Sequence, residues 1–365
     1  MAISSVLGSS ALLPAGLGFR NLIINGDMVI NQRNTAVATS GYSVDRWIAF
    51  KSGGATVSMA QSTDVPTVFA NSLKATATVG GASNTSYFQQ NIEGYSSSSL
   101  GFGTASARQT TVSFWVKSSL TGTYSVGFQH PSRTRAYVAT YAISAINTWE
   151  YKTITISGDL SGTWNKTNTT GIEVYFTFGV SNAGYQTSTL NQWFAGDGMS
   201  IPIGPSSVPD VMATTGNTFA ITGVQLEQNY QPTPFEQRPI GVELDLCQRY
   251  YWRSTSGLTT DGNSRHAHFR RLNAYQMIAT GHCAFPVPMR AEPSVSLYNG
   301  NGVGAVDAYG AGQESYVIAS GEGLSTFGLG IIVKYTNSGL GTTANFAGDP
   351  ASYSYWMNIE ASAEL

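Results

Sequence analysis

Charged residues are scarce in this chain of 365 residues. Asp, Glu, Lys and Arg make up only 11% of it, whereas ordinary globular proteins carry about 25%. A helical bundle or coiled coil needs abundant charged helix formers, so this scarcity argues against both. The 42% hydrophobic content argues against a charged disordered chain. The 19 basic residues do not exceed the 21 acidic ones. No nucleic-acid partner is expected, because neutralising phosphates requires a clustered basic surplus.

Cysteine and long apolar runs are scarce too. Cys247 and Cys283 are the only cysteines, too few for a disulfide framework and wrongly spaced for a zinc knuckle. No window approaches 18 uninterrupted apolar residues, so membrane insertion is not expected. Residues 1–20 lack the basic start of a signal peptide, and Pro14 interrupts their apolar run. We interpret them as an extended arm, with a disordered leader as the alternative.

Glycine and tyrosine are plentiful, at 40 and 19 residues, and the composition indicates an all-β protein. Apolar and polar residues alternate in residues 111–117, 172–178 and 353–360, which is the period of half-buried strands. In residues 219–227 this alternation slips by one position at Gly223. The slip predicts a β-bulge, which accommodates one extra residue in a strand.

Prolines and a change of periodicity mark a domain boundary. Residues 231–239 contain three prolines, and Leu244, Cys247, Tyr250 and Tyr251 then follow at helical spacing. The predicted organisation is two β-sandwich domains joined by this Pro-rich segment and one short helix. The boundaries are an arm at 1–20, a first sandwich at 21–239, a connector helix at 240–253 and a second sandwich at 254–365.

The sequence lacks three common catalytic and nucleotide-binding motifs. The sequence contains no H-E-x-x-H, no G-x-S-x-G and no G-x-x-x-x-G-K-[ST] motif. We therefore expect a non-enzymatic protein. A glycan depolymerase remains an alternative, because the separation of a glycosidase carboxylate pair is set by the fold rather than by sequence spacing.

Two sets of residues are candidate metal ligands, and no other cofactor is indicated. The alternation of a strand would place His266 and His268 on one face, which suits a transition metal. Asn25, Asp27 and Glu227 offer hard oxygen atoms near the first and last strands of the first sandwich, which suits a structural calcium. The alternatives are exposed histidines and solvated turn carboxylates.

Aromatic residues in predicted loops are candidate glycan contacts. The flat rings of Trp164, Tyr185 and Trp193 could stack on the apolar face of a pyranose. The alternative is burial in the core, which must take most of the aromatic residues in a chain with 12% of them.

Several segments resemble known proteins. Residues 19–32, FRNLIINGDMVINQ, and 42–47, YSVDRW, resemble the start of a domain common in structural proteins of tailed bacteriophages, notably those of marine cyanobacteria. ITGVQLEQ and TPFEQRPIGVELDLCQRYY, within residues 219–251, resemble its end. Residues 285–295, FPVPMRAEPSV, resemble a segment of phage fibre proteins. The domain is similar to jelly-roll carbohydrate-binding modules.

This resemblance implies a virion component, assembled in the host cytoplasm, of the tail-fibre or receptor-binding type. It implies a homotrimer that contacts other virion proteins and a host cell-surface glycan, and three chains about an axis could pool the His266 and His268 imidazoles on one metal. A capsid-decoration, cement or head-fibre protein is the alternative. Leu12, Leu13, Leu17 and Phe19 of the arm are then candidate virion anchors, because they could bury apolar surface on a neighbouring subunit.

Overall fold

The computed structural model of the protein describes residues 19–82, 84–254, 268–273, 276–299, 302–303, 307–308, 328–334, 355–356 and 358–365. Antiparallel β-sheets dominate these residues. The predicted all-β class is confirmed, and so are the sandwich architecture and the short connecting helix.

Two antiparallel sheets form the first domain. The larger sheet has seven strands in the order β1-β2-β5-β10-β7-β8-β11, and the smaller has five in the order β3-β4-β12-β6-β9. A four-residue helix, α1 (Gly94–Ser97), follows β5. The strands are β1 Ser40–Tyr42, β2 Ile48–Ser52, β3 Thr56–Ser62, β4 Ser72–Val79, β5 Thr85–Glu93, β6 Thr110–Ser118, β7 Gly122–Gln129, β8 Arg135–Ile143, β9 Glu150–Ile156, β10 Thr170–Val180, β11 Trp193–Ala195 and β12 Thr218–Glu227.

Aromatic rings join the two sheets in a common core. Phe176 of β10 packs against Phe114 of β6 with ring centroids 5.0 Å apart, and Phe178 of β10 stacks on Phe219 of β12 at 4.6 Å. All four side chains are buried. Burial of each such side chain stabilises the fold by about 1.5–3 kcal/mol. The alternation predicted in residues 111–117 and 172–178 is thus the core-facing alternation of β6 and β10.

The bulge predicted at Gly223 is present in β12. The pairing of β12 with β6 shifts register between Thr222 and Gln225. Gly223 has a φ of 59°, and a Cβ atom there would lie 2.4 Å from the ring of Phe69. Only glycine combines that backbone conformation with that close approach.

The segments that resemble phage proteins lie together. Val224 donates its amide hydrogen to Gly26 O at 2.8 Å, and the Leu22 amide donates to Leu226 O at 2.8 Å. The Arg238 guanidinium donates to the Glu243 carboxylate at 3.1 Å and to Ile23 O at 3.2 Å. These contacts therefore fix residues 22–26, at the start of the domain, to its last strand β12 and to the connector.

The connector helix α2 spans Ile240–Gln248, so the predicted end at residue 253 is five residues too late. Tyr251 instead starts strand β13 (Tyr251–Arg253), where it pairs with Ser362 of β21 (Asn358–Ser362). Tyr250 and Tyr251 are buried as an amphipathic helix would require. The helical spacing predicts that the helix continues through Tyr251, but pairing with a strand distant in sequence places Tyr251 in β13 instead.

The other strands after β13 also form antiparallel sheets, in the orders β13-β21-β16-β17, β14-β15-β19 and β18-β20. These strands are β14 His268–Asn273, β15 Gln276–Ala284, β16 Ser294–Asn299, β17 Gly302–Val303, β18 Asp307–Ala308, β19 Gly328–Lys334 and β20 Tyr355–Trp356.

Among the residues with described positions, no helix is long and apolar enough to span a membrane.

Candidate functional site

The outward face of the seven-stranded sheet is partly covered by the chain itself. Residues 181–204 are here called the cover segment; they include edge strand β11, and their residues 200–203 cross over the β7 and β10 strands. Ile203 O accepts hydrogen bonds from Ser125 Oγ at 2.8 Å and Thr177 Oγ1 at 3.2 Å, and Ser200 O accepts one from Gln129 Nε2 at 3.2 Å. The outward face is therefore covered by backbone at Ser125, Gln129 and Thr177.

The last residues of the chain lie against the other end of this face. Leu365 O accepts a hydrogen bond from Tyr42 Oη at 3.0 Å and from Asn91 Nδ2 at 2.8 Å. Asn91 Oδ1 in turn accepts one from Gln89 Nε2 at 2.6 Å. The cover segment and Leu365 thus border the strip of sheet that lies between them.

Three aromatic rings occupy that strip, and we call Phe50, Tyr87 and Tyr185 the aromatic patch. Phe50 and Tyr87 are directly opposite in β2 and β5, and their rings stack with centroids 4.7 Å apart. Tyr185 lies 6.3 Å from the Phe50 ring and 6.2 Å from the Tyr87 ring. Phe50 and Tyr185 are partly exposed, whereas Tyr87 is only 6% exposed. The patch therefore presents two accessible rings on a buried base.

Backbone hydrogen bonds hold Tyr185 in place. The Asn182 side chain accepts from the Gly184 amide at 2.8 Å and starts the single 3₁₀ turn that carries Tyr185. Tyr185 O accepts from the Ile203 amide at 3.0 Å. These bonds fix the backbone of the turn and the rings of Phe50 and Tyr87 lie beside that of Tyr185, so its side chain is pre-positioned, which lowers the entropy that binding would cost.

A carboxylate adjoins the aromatic patch. Glu173 follows core residues of β10 and points to the outward face, where its Oε2 accepts a 2.6 Å hydrogen bond from Tyr175 Oη. Burial raises the pKa of Glu173 above its usual value, while the Arg133 charge acts in the opposite direction. The Tyr175 ring meets Tyr87 edge-on at 5.2 Å. Aromatic faces and fixed acceptors therefore lie side by side.

This arrangement suits a sugar. The apolar face of a pyranose can pack on the rings, and its hydroxyls can donate to a carboxylate and bond with the amide of Gln89, which lies opposite Tyr175 in β5. Of the three predicted aromatic contacts, Tyr185 is the one found in the patch.

Trp164 is placed in the core. Its ring is 7% exposed and meets the rings of Phe102 and His130 edge-on at 5.2 and 5.1 Å, while its Nε1 donates to Asp159 Oδ2 at 3.2 Å. The cleft beside it has room for about one water molecule. Its face is therefore not accessible to a sugar.

Trp193 lies in a different cluster from Tyr185. It is partly exposed on edge strand β11, where its ring packs 5.4 Å from both Phe102 and Tyr137. Its Nε1 donates to Ser157 O at 2.7 Å. The Trp193 ring also lies 5.5 Å from the Trp164 ring, so the three predicted glycan contacts fall into two groups, Trp164 with Trp193 and Tyr185 in the aromatic patch.

The candidate calcium ligands are committed to structural hydrogen bonds. The Asn25 amide donates to Ile30 O and Asp45 O, and its Oδ1 accepts from the Ile30 amide. Glu227 accepts from the amide and hydroxyl of Thr233. Burial raises the pKa of Asp27. In the described part of the chain, no three His, Cys, Asp or Glu side chains are grouped to hold a metal. Calcium binding stays a prediction without structural support.

The other candidates fall largely outside the described residues. His266, Leu12, Leu13 and Leu17 lie there, and of His268 only the backbone is described, in β14. Phe19 is 47% exposed, and the Arg238 guanidinium lies over its ring, 4.6 Å from the centroid. That contact holds Phe19 against the segment that precedes α2.

Sequence reasoning missed Phe50, Tyr87 and Glu173. A signal for one of them existed: if Ile172, Val174 and Phe176 face the core, Glu173 must face outward from an otherwise apolar strand. For Phe50 and Tyr87 no local signal existed, because their proximity depends on the pairing of β2 with β5.

No family model matches the chain, and no curated protein matches it. Among solved structures, the enzymatically active domain of bacteriophage CBA120 tailspike protein 4 matches with 15% identity and a TM-score of 0.33, over 57% of this chain and 22% of that one. A family 11 carbohydrate-binding module of a Clostridium thermocellum cellulase matches with 13% identity and a TM-score of 0.27, over 54% of this chain and 96% of that one. The module TmCBM61, solved with β-1,4-galactotriose, matches with 11% identity and a TM-score of 0.29, over 58% of this chain and all of that one.

The match spans only about a fifth of the tailspike chain. The β-sandwich of this chain is shown by its own two antiparallel sheets.

Proposed function

We propose that this chain is a non-enzymatic structural protein of a tailed-bacteriophage virion, of the tail-fibre or receptor-binding type, and that its first domain binds host surface glycans at the aromatic patch. The observation that carries the glycan part is the stacking of Phe50, Tyr87 and Tyr185 beside the Glu173–Tyr175 pair. Rigid aromatic rings with a few fixed polar groups are the usual composition of sugar sites.

The virion part of the proposal is supported by the resemblance of residues 19–32, 42–47 and 219–251 to phage structural proteins. The Gly26–Val224 and Arg238–Glu243 contacts show that these segments depend on one another in the fold. The proposal includes a homotrimer, held to other virion proteins by the arm at residues 1–20.

Labelling of phage particles tests the location. An antibody against the first domain, with gold detection by electron microscopy, is expected to mark the tail or its appendages. Signal spread over the head would contradict this location and favour the decoration alternative.

Binding of the purified protein to host bacteria tests the ligand. We expect the protein to bind cells and to compete with phage adsorption, and we expect periodate oxidation of the cell-surface glycans to remove that binding. Equal binding to oxidised and untreated cells would contradict a glycan receptor.

A further inference from the structure

A second group of aromatic side chains lies on the outward face of the five-stranded sheet. Trp115 of β6 is directly opposite Tyr151 of edge strand β9, with ring centroids 5.5 Å apart at 47°. Trp149 precedes β9 and is the next residue on the same face as Tyr151. Trp115 and Trp149 are partly exposed, and Tyr151 is 45% exposed. We call these three residues the aromatic platform.

Hydroxyl groups continue this face beyond the platform. In the next two cross-strand pairs, Ser113 lies opposite Thr153 and Thr111 lies opposite Thr155. Ser113 and Thr111 are buried, whereas Thr153 and Thr155 are exposed, so the accessible hydroxyls are those of edge strand β9. The core of a protein interface is typically apolar around its aromatic residues. Rings bordered by hydroxyls suit a ligand that is itself apolar on one face and hydroxylated at its edge.

Positive charge borders the other end of the platform. Lys117 Nζ lies 2.8 Å from Asp64 Oδ1, Lys74 Nζ lies 3.2 Å from Asp64 Oδ2, and Trp149 Nε1 donates to Asp64 Oδ1 at 3.3 Å. Lys117 Nζ is also 6.0 Å from the Trp149 ring centroid. Two ammonium groups share one carboxylate, so the cluster carries a local surplus of one positive charge in a chain of net charge −2.

We propose that the aromatic platform binds an acidic saccharide, that is, a sugar chain carrying carboxylate groups. A sugar ring packs on Trp115 and Tyr151, and its carboxylate accepts hydrogen bonds from Lys117 and Lys74, whose remaining N–H groups are free of the shared Asp64 oxygens. This site lies on the opposite sheet from the aromatic patch and does not depend on it. A chain with both sites could hold two segments of one surface polysaccharide, and binding would then be strengthened by effective concentration.

Calorimetric titration of the full-length protein with an oligogalacturonate in low-salt buffer tests the proposal. We expect wild-type protein to bind it, Trp115→Ala to bind at least about tenfold more weakly, and Lys117→Gln to weaken binding to a similar extent. Tyr95→Ala is the matched control, because Tyr95 is an aromatic residue of α1 that is 61% exposed and belongs to neither site. Circular dichroism establishes that each variant is folded.

Salt and a neutral sugar test the charge part. Binding of the oligogalacturonate is expected to weaken as salt is raised, since exposed charges are screened, and neutral dextran is expected not to bind at the platform. Absence of oligogalacturonate binding, or binding unchanged in Trp115→Ala, overturns the site. Loss in Trp115→Ala with no change in Lys117→Gln overturns the acidic ligand class. Tyr185→Ala is expected to leave oligogalacturonate binding unchanged. Loss of binding at the aromatic platform can therefore be distinguished from loss of binding at the aromatic patch.

Discussion

Arg46 and Glu364 form a buried ion pair across 318 residues of sequence. The Arg46 guanidinium lies on the face of the Tyr250 ring, 3.6 Å from its centroid, and Glu364 also accepts from Arg33 Nη2 at 3.1 Å. The end of the chain and the connector are therefore bonded to the first domain. Leu365, the neighbour of Glu364, accepts a hydrogen bond from Asn91 on the outward face of the seven-stranded sheet, so this pair helps to hold the last residues on that face.

Removing the Glu364 charge should destabilise the protein. Glu364→Gln leaves Arg46 buried without its counter-charge, and we expect the free energy of unfolding to fall by about 3–5 kcal/mol. Urea unfolding followed by tryptophan fluorescence measures this. Glu292→Gln, at an exposed position in the same half of the chain, is the control and should change it by less than about 0.5 kcal/mol. Equal effects of the two variants would contradict a structural role for the pair.

The β12 bulge should require glycine. Gly223→Ala adds a methyl group against Phe69 in a left-handed conformation, and we expect it to lower the free energy of unfolding by about 2–4 kcal/mol. Gly216 also has a positive φ, of 86°, but open space around it, so Gly216→Ala should cost only about 1 kcal/mol. Similar melting temperatures for the two variants would show that the contact with Phe69 is not what requires glycine at position 223.

Trp164 should contribute to stability and not to binding. Trp164→Ala removes a buried ring and should lower the free energy of unfolding by about 3–5 kcal/mol. In protein that remains folded, binding of cell-surface glycan is expected to match the wild type. Weakened glycan binding in a folded Trp164→Phe protein would contradict its assignment to the core.

Glycan binding at the aromatic patch should weaken at acidic pH. Burial raises the pKa of Glu173, so its carboxylate gains a proton at a pH above the ordinary value of 4.5 as the solution is acidified. The protonated group is a poorer acceptor for sugar hydroxyls, so affinity is expected to fall as pH falls through that raised pKa. Titrations between pH 4 and 8 measure it. Glu173→Gln should bind with an affinity that is nearly independent of pH. If its affinity fell with pH as that of the wild type does, Glu173 would not be part of the site.

Local sequence patterns predicted the strands well because their cause is local. Val112, Phe114 and Val116 alternate since one face of β6 lies on the core, and Gly223 is visible because a bulge shifts that alternation. The end of α2 was misplaced because the pairing of Tyr251 with Ser362 is a contact between residues distant in sequence.

The candidate site was predicted only in part for the same reason. Tyr185 could be proposed from its residue type and loop position, but Trp164 has the same signals and is buried. The difference arises from the rings around each of them, Phe102 and His130 for Trp164, Phe50 and Tyr87 for Tyr185. Those neighbours are set by the pairing of strands, which no short stretch of sequence encodes.

The most direct test of the aromatic patch is an array of bacterial surface glycans probed with wild-type protein, Tyr185→Ala and the control Tyr95→Ala. The proposed function predicts that wild type and Tyr95→Ala bind the same glycans, and that Tyr185→Ala loses at least about tenfold of that signal. Retention of full signal by Tyr185→Ala, or no glycan bound by the wild-type protein, would contradict a glycan site at the patch.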